Sequence, residues 1–366
     1  MMKRILYIMC FLFVSIVAAG ETVTTTERVT FGNVELQPGG DMVKIPVLLE
    51  TAKQYTAVSM DIYLPEGFEF VKTMNEDKDW VYAENGEACR SKHSTEANVM
   101  DEGNGSFLRV AVFSTNNGTF KENSTEVFRF FVKASTMAKP GFVNVQIKTC
   151  FYVDADETEY DVNDYNVNDK VSVSTSAKAS FNISAENKWS TLVLPFDVPS
   201  LPSGVMAFTC NESDDNASVL ILNRVSSLSA YKPYILRSEN GCTVNLSGTV
   251  DANNYPATGV VAEGYLKGAV TQQVATSGEY VLANKDGKTQ FYKVANSKTI
   301  PAGKCWMALP SGMSAKENFG FQISTGIKNV VSGKGVGAKY SLDGRKINVV
   351  HPQQLYIEGG KKKIGR

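Results

Sequence analysis

A segment of strict alternation at residues 55–70 constrains the fold of this chain more than any other feature. The apolar side chains of Val58, Met60 and Ile62 are separated by smaller or more polar ones. A period of two is typical of a β-strand that buries one face. Because a second sheet has to cover that dry face, the segment predicts a β-sandwich.

Four further segments before residue 174 alternate in the same way. They lie at residues 43–49, 107–113, 127–132 and 142–147. Turns rich in Gly, Asn and Pro separate them, and no long window has the helical period of 3.6. Pro46 interrupts the first segment and predicts an edge strand or a bulge there. The pattern predicts an all-β fold with a sandwich of the jelly-roll or immunoglobulin-like kind.

The chain continues with a second β-rich region and a short tail. Two apolar runs flank Asp286 and Gly287, which predicts a β-hairpin at residues 280–294. A Gly-rich spacer at residues 333–337 indicates a flexible connection. We therefore expect four parts: a leader, a sandwich, a second β-rich module, and a linker with a C-terminal β tail, at residues 1–20, 21–175, 176–323 and 324–366.

The first twenty residues are typical of a signal peptide. Lys3 and Arg4 precede an apolar run at residues 5–17, and small residues follow at 18–20. No later apolar run reaches membrane-spanning length, so no transmembrane segment is expected. The pattern predicts export to the extracellular space or the outer cell surface. With 37 basic and 38 acidic residues and no basic block in the body of the chain, nucleic acid is not expected as a partner.

Five cysteines follow the leader, and export would allow them to form disulfides. They are Cys89, Cys150, Cys210, Cys242 and Cys305. Cys89 with Cys150 is one pairing, but the spacing does not select a connectivity. Burial as small apolar side chains is the alternative.

The chain carries no recognisable catalytic motif. Its two histidines, His93 and His351, do not support a His-centred zinc site or a Ser-His-Asp or Cys-His triad. We therefore expect no enzymatic activity.

An acidic stretch supplies the candidates for metal binding. Asp154, Asp156 and Glu157 offer the oxygen ligands that Ca²⁺ prefers, although the spacing matches no EF-hand loop. The alternative is a solvated strand edge, where charge prevents pairing with other chains.

Two aromatic residues supply the candidates for ligand binding. Trp80 and Tyr82 are two positions apart in a charged stretch, so one strand would present both rings on one face. Such rings can stack on sugars or contact a protein partner. The alternative is that they fill the core of the sandwich.

Residues 29 to about 170 resemble the cohesin-like domains of secreted proteins from Gram-negative anaerobes. The motifs that carry the resemblance are VTFGNVELQPGG (29–40), YTAVSMDIYLPEGFEF (55–70), LRVAVFSTNNGTF (108–120) and FYVDADETEYDV (151–162). The resemblance implies a jelly-roll sandwich, a fold that cohesins share with a group of carbohydrate-binding modules. It also implies one of two partners, a dockerin module of another protein or a polysaccharide.

Two weaker resemblances concern the rest of the chain. WSTLVLPF (189–196), YKPYIL (231–236) and GEYVLANKDGKTQFYKV (278–294) are similar to an uncharacterised module of the same surface proteins. YSLDGRKI (340–347) and LYIEGGKKKIGR (355–366) resemble C-terminal sorting signals of type IX secretion. The function expected first is therefore a non-catalytic, surface-displayed binding or scaffolding protein. A structural or adhesive surface protein is the alternative, and a glycan-active enzyme with two carboxyls about 5–10 Å apart comes third.

Overall fold

A computed structural model describes residues 27–103, 105–214, 217–309, 315–324, 339–342, 346–347, 351–358 and 361–364. The protein is all-β. Within those residues, the helical structure is confined to a 3-10 turn at Ala252–Asn254. The expected all-β class is confirmed, whereas the leader at residues 1–20 and much of the tail lie outside the described residues.

The first unit spans residues 28–173 and is called the sandwich below. Its strands are β1 Arg28–Phe31, β2 Val34–Leu36, β3 Val43–Glu50, β4 Tyr55–Tyr63, β5 Phe68–Phe70, β6 Thr73–Met74, β7 Trp80–Val81, β8 Ala83–Asn85, β9 His93–Glu102, β10 Gly105–Ser114, β11 Glu126–Ala134, β12 Gly141–Phe142, β13 Gln146–Asp154, β14 Glu159–Asp161, β15 Asp164–Asn166 and β16 Val171–Val173.

Two sheets form the layers of the sandwich. The five-stranded sheet has the order β14-β13-β4-β10-β9. The six-stranded sheet has the order β15-β1-β3-β11-β5, with β8 also paired to β11. Strands β12, β16 and β2 make a small third sheet, and β6 pairs with β7 in a separate ribbon. Pairing is antiparallel except between β1 and β15 and between β16 and β2.

The core of the sandwich lies between the two sheets, where the alternation places it. Val58, Met60 and Ile62 of β4 are at most 2% exposed and share one apolar cluster with Ile45 of β3 and Phe130 of β11. Full burial of a side chain of this size contributes about 1.5–3 kcal/mol. The predicted sandwich is therefore confirmed, and packing between the sheets holds it together.

Pro46 corrects one expectation. It lies on β3, which runs between β1 and β11, so the prediction of an edge strand is wrong. The ladder between β1 and β3 ends at the pair of Phe31 and Val47, and Val47 is the residue that follows Pro46. The missing N–H therefore falls beyond that ladder, and the Pro46 carbonyl still accepts a hydrogen bond from the Gly32 N–H at 2.9 Å. The irregularity appears instead on β11, whose register shifts between Glu126 and Phe128.

The second unit spans residues 176–323. Its strands are β17 Ser176–Ile183, β18 Trp189–Leu192, β19 Met206–Asp214, β20 Val219–Val225, β21 Tyr234–Arg237, β22 Cys242–Thr249, β23 Val260–Glu263, β24 Leu266–Ala269, β25 Gln273–Ala275, β26 Tyr280–Lys285, β27 Lys288–Lys293, β28 Lys298–Ile300, β29 Cys305–Met307 and β30 Asn318–Ile323. The tail carries β31 Lys339–Tyr340, β32 Lys346–Ile347, β33 Leu355–Glu358 and β34 Lys361–Ile364.

A ten-stranded sheet dominates the second unit, in the order β18-β21-β19-β20-β30-β27-β26-β29-β24-β23. It curls on itself, because Ile235 of β21 and Leu266 of β24 belong to the same buried cluster. The predicted hairpin is confirmed as β26 and β27, with Asp286 and Gly287 both at positive φ. That backbone is the one that tight hairpin turns require. Strands β17 and β22 pair separately, as do β25 and β28.

Candidate functional site

The outward surface of the five-stranded sheet is the candidate site and is called the open face below. Its side chains alternate with those of the core and therefore point to solvent. Its members are Ala57, Ser59, Asp61 and Tyr63 of β4, Phe107, Arg109, Ala111 and Phe113 of β10, Phe151 and Val153 of β13, and Glu96, Asn98 and Met100 of β9. All of them except Asp61 and Phe107 are half-buried or exposed.

The middle of the open face combines small side chains with flanking aromatic ones. Ser59 is paired with Ala111 on one side and with Phe151 on the other. Ala57 is paired with Phe113 on the neighbouring strand. Directly paired residues in a sheet have Cβ atoms about 4.5–5.5 Å apart, so small residues between large ones leave a shallow apolar trough. The trough can receive an apolar ridge from a partner.

A two-pronged ion pair lies beside the trough. Arg109 donates from Nε to Asp61 Oδ1 at 2.8 Å and from Nη2 to Oδ2 at 2.7 Å. The two residues are paired across β4 and β10, and Asp61 is only 6% exposed. The hydrogen bonds that Arg109 donates to Asp61 raise the pKa of the guanidinium, against the effect of partial burial. The pair is thus a fixed polar feature of the surface.

A layer of rings and cations lies at one end of the open face. The rings of Tyr63 and Phe107 are stacked, with centroids 4.9 Å apart. Lys148 Nζ lies 3.7 Å from the Tyr63 centroid, and Arg109 Cζ lies 5.3 Å from the Phe107 centroid. The Tyr63 hydroxyl donates to Glu102 at 3.1 Å. These contacts fix the orientation of both rings, and the half-buried Tyr63 is the one that stays accessible to a partner.

The rim of the open face is acidic. The carboxylates on it are Glu96, Glu102, Glu159 and Asp161. Of the nearby cations, Arg109 is held by Asp61, and Lys148 lies 3.7 Å from Glu102. A partner that carries Lys or Arg around an apolar ridge would therefore complement this surface in shape and charge.

The outward surface of the six-stranded sheet differs, and it is called the covered face below. Phe131 points outward from β11 yet is 0% exposed. Its N–H donates to the Tyr82 carbonyl at 3.2 Å, and Lys44 Nζ lies 5.6 Å from its ring centroid. Glu84 binds Lys44 at 2.7 Å and Arg129 at 3.6 Å. Because β8 is itself a strand of this sheet, Glu84 lies on the same outward surface, and its ion pairs with Lys44 and Arg129 lie beside the buried Phe131 ring.

The structure separates the two aromatic candidates by environment. Trp80 lies on the β6–β7 ribbon opposite Met74, and the two side chains are 61% and 52% exposed. Tyr82 follows the ribbon, is half-buried and packs against the core of the sandwich, with Lys72 Nζ 4.8 Å from its ring centroid. The Trp80 ring is thus accessible to a ligand, whereas the Tyr82 ring is largely engaged by the core and by Lys72. A binding role for either residue stays a prediction.

The acidic candidates serve a turn. Asp154 Oδ1 accepts hydrogen bonds from the backbone N–H groups of Asp156 at 2.9 Å and Thr158 at 3.0 Å. Burial raises the pKa of Asp154, but these bonds outweigh it, so the pKa lies below its ordinary value. The side chains of Asp156 and Glu157 are exposed. In the part of the chain that the structure describes, no group of three or more His, Cys, Asp or Glu side chains could hold a metal ion.

The cysteines after the leader are free thiols, so the disulfide interpretation is wrong. Four of the five are buried, and Cys242 is half-buried. Burial raises the pKa of Cys89 to about 11 and that of Cys150, Cys210 and Cys305 to about 12. The Sγ atom of Cys305 donates to a backbone carbonyl at 3.3 Å. These side chains act as small apolar core residues, the alternative that the sequence left open.

A shallow groove lies on the second unit and another lies on the sandwich. The larger, of about 550 Å³, is lined by residues 201–205 and 224–226 and has no carboxylate. The smaller, of about 370 Å³, is lined by Arg28, Glu50 and Asp164 with Thr51 and Ala52. Arg28 lies 3.8 Å from Asp164 there. The described residues also contain no helix that is long and apolar enough to cross a membrane.

Comparison with known proteins returns cohesins among the solved structures. A type I cohesin from Clostridium thermocellum, in complex with a dockerin, is 18% identical, with a TM-score of 0.32 over 40% of this chain and 99% of that one. A non-cellulosomal cohesin from Archaeoglobus fulgidus is 16% identical, with a TM-score of 0.28 over 40% and 90%. A type II cohesin from Bacteroides cellulosolvens is 9% identical, with a TM-score of 0.31 over 40% and 99%. A likeness at this level carries no conclusion about function.

No family model and no curated protein matches the chain. The residues of the open face were therefore not indicated by any relative. A signal in the sequence did exist for them, because Phe107 and Phe113 occupy the polar phase of a strand whose other phase is Leu108, Val110 and Val112. Aromatic residues on the solvent side of an alternating strand are candidates for contact with a partner.

Proposed function

We propose that this chain is a non-catalytic binding protein whose sandwich holds a protein partner on the open face. The observation that carries the proposal is a contrast between the two sheets: the open face presents a trough, aromatic side chains and an acidic rim, whereas the opposite sheet buries its outward ring, Phe131, and pairs its charges. The shape suits a helix or turn with a small apolar ridge between basic side chains.

A dockerin-type module is the partner that the motifs at residues 29–40, 55–70, 108–120 and 151–162 suggest. Those motifs resemble cohesin-like domains, and the cohesin from Clostridium thermocellum is described as part of a cohesin–dockerin complex. The leader and the tail motif support display outside the cell. The chain would thus act as the receiving half of an assembly on the cell surface.

The test uses the chain without its predicted leader, immobilised and exposed to a panel of dockerin modules. Ala111→Arg places a long cation in the trough, and we expect it to weaken binding at least tenfold. Ala262→Arg is the matched control, because it makes the same change at an exposed alanine on β23 of the second unit. Retention of a dockerin by both variants with equal affinity would exclude the open face. Failure of every dockerin to bind the unaltered chain would exclude this partner.

A polysaccharide is the second candidate ligand, and the 61% exposure of Trp80 favours it. Its indole lies beside Met74 on the ribbon, so a planar apolar surface is presented to solvent. Apolar sugar faces pack on such rings. The test is a glycan array with Trp80→Ala and the control Phe142→Ala, which removes a ring that is 73% exposed. Binding that only Trp80→Ala abolishes would support the site, and equal loss in both variants would contradict it.

A structural or adhesive role would leave both sites without a ligand. The unaltered chain would then retain nothing from either panel, while cell fractionation would still find it on the outer surface. Recovery of the chain only from the cytoplasm would contradict export and with it the surface role.

A further inference from the structure

Three turns of the sandwich contact the second unit. They lie at residues 37–39, 65–67 and 135–139, and each contributes a contact that joins residues far apart in the sequence. Contacts between consecutive domains are commonly small and polar, which leaves the domains free to move. The contacts here include a buried apolar one.

Met137 is the apolar residue at this junction. It is 2% exposed, and it shares a cluster with Val193, Val270 and Cys305 of the second unit, which are at most 4% exposed. Its Cγ would lie 3.9 Å from a Cβ atom added at Gly303, so it reaches the turn before β29. Met137 therefore fills a pocket of the second unit rather than the core of its own sheets.

Polar contacts surround that pocket. The Tyr255 hydroxyl donates to the Met137 carbonyl at 3.0 Å, and Lys139 Nζ lies 5.6 Å from the Tyr255 ring centroid. A second turn contributes Glu66, whose Oε1 accepts a hydrogen bond from the Gln272 N–H at 2.9 Å. The turns at residues 65–67 and 135–139 are joined to each other as well, because a Ser135 N–H donates to the Gly67 carbonyl.

The third turn places two backbones in direct contact. The Lys178 N–H donates to the Pro38 carbonyl at 2.7 Å. Gly39 has φ of +65°, and a Cβ atom there would lie 1.9 Å from the Lys178 carbonyl oxygen. Only glycine can occupy this position while strand β17 stays this close.

We propose that the second unit is a docking support for the sandwich. Its pocket, formed by Val193, Tyr255, Val270 and Cys305, receives the 135–139 turn, so that the two units move as one body and unfold together. The open face is then held at a fixed orientation relative to the second unit. This role does not depend on the identity of any partner.

The test compares the chain without its predicted leader with its Met137→Asp variant. Burying a carboxylate in the pocket is unfavourable, so the variant should undock. We expect calorimetry to change from one unfolding transition to two, and the maximum dimension from small-angle X-ray scattering to increase. Met42→Asp is the matched control, because it makes the same change at a methionine of the sandwich that is 36% exposed, and it should keep one transition.

Met137→Ala replaces the first variant if Met137→Asp does not fold, since it removes the contact without adding a charge. Either variant should also admit protease cleavage near residues 174–176, and Met42→Asp should not. Two separate transitions in the unaltered chain would overturn the proposal. So would one transition and an unchanged maximum dimension in the Met137 variant that folds.

Discussion

The open face and the covered face lie on the same sandwich and contain the same kinds of residue. On one face these side chains remain available for contact, and on the other they are engaged within the molecule. On the covered face, Phe131 is fully buried and Glu84 binds both Lys44 and Arg129, so this ring and these charges are engaged within the molecule. On the open face, a ring such as Phe113 stays half-buried beside small residues. The contrast indicates that the burial of rings and the pairing of charges, rather than composition, distinguish a surface that stabilises the fold from one that contacts a partner.

The sharpest way to break the comparison is to remove one ring from each face. Phe131→Ala should lower the free energy of unfolding by about 3–5 kcal/mol, because it opens a cavity where a fully buried ring stood. Phe113→Ala, on the open face, should cost about 1 kcal/mol or less. Urea denaturation of the two variants measures the difference. Equal losses of unfolding free energy in the two variants would mean that Phe113 is packed within the molecule as closely as Phe131.

The ion pair of the open face gives the next largest effect. Arg109→Met should lower the free energy of unfolding by about 1–3 kcal/mol, because it leaves the Asp61 carboxylate buried without its partner. The double variant with Asp61→Asn should recover part of that loss. A double variant no more stable than Arg109→Met would indicate that Asp61 is not the group left unsatisfied.

Acid should lower the stability of the sandwich at the edge of the open face, where β9 begins with His93. Burial lowers the pKa of His93 below its ordinary value of 6.5, and its Nδ1 accepts a hydrogen bond from the Arg90 N–H at 3.0 Å. Because the pKa of His93 is lower in the folded state, the neutral imidazole contributes to the free energy of unfolding above pH 6.5. That contribution is lost as the pH falls below 6.5.

Denaturation at about pH 7.5 and about pH 5.5 checks the prediction for His93. His93→Gln should lose less stability between the two values than the unaltered chain does, and His351→Gln, at an exposed position, is the control. An identical pH dependence in all three proteins would rule out His93 as the titrating group.

The smallest effect is expected from the salt bridges of the covered face. Lys44 Nζ lies 2.7 Å from Glu84, but the lysine side chain is 48% exposed. Lys44→Met should change the free energy of unfolding by only about 0.2–1 kcal/mol, and the change should shrink in high salt. A loss as large as that of Arg109→Met would show that the network stabilises the fold more than its exposure implies.

Local patterns predicted the strands and their buried sides, but not what lies over them. The alternation at β4 and the Asp286–Gly287 turn depend on neighbours in sequence, so they could be predicted correctly. The position of Pro46 depends on where the β1 ladder ends, and the surroundings of Phe131 depend on a strand about fifty residues earlier that pairs beside β11. Neither has a local signal. The open face required the same knowledge, since its residues come from strands that pair across long separations.

The five cysteines of the folded chain imply that oxidation takes no part in building this protein. Its native state should form equally well with or without a reductant. The half-buried Cys242 should react first with a maleimide. The buried thiols should react only when the structure around them opens, and they are Cys89, Cys150, Cys210 and Cys305. The rate at which each buried sulfur is alkylated would then report how often its surroundings open by local unfolding.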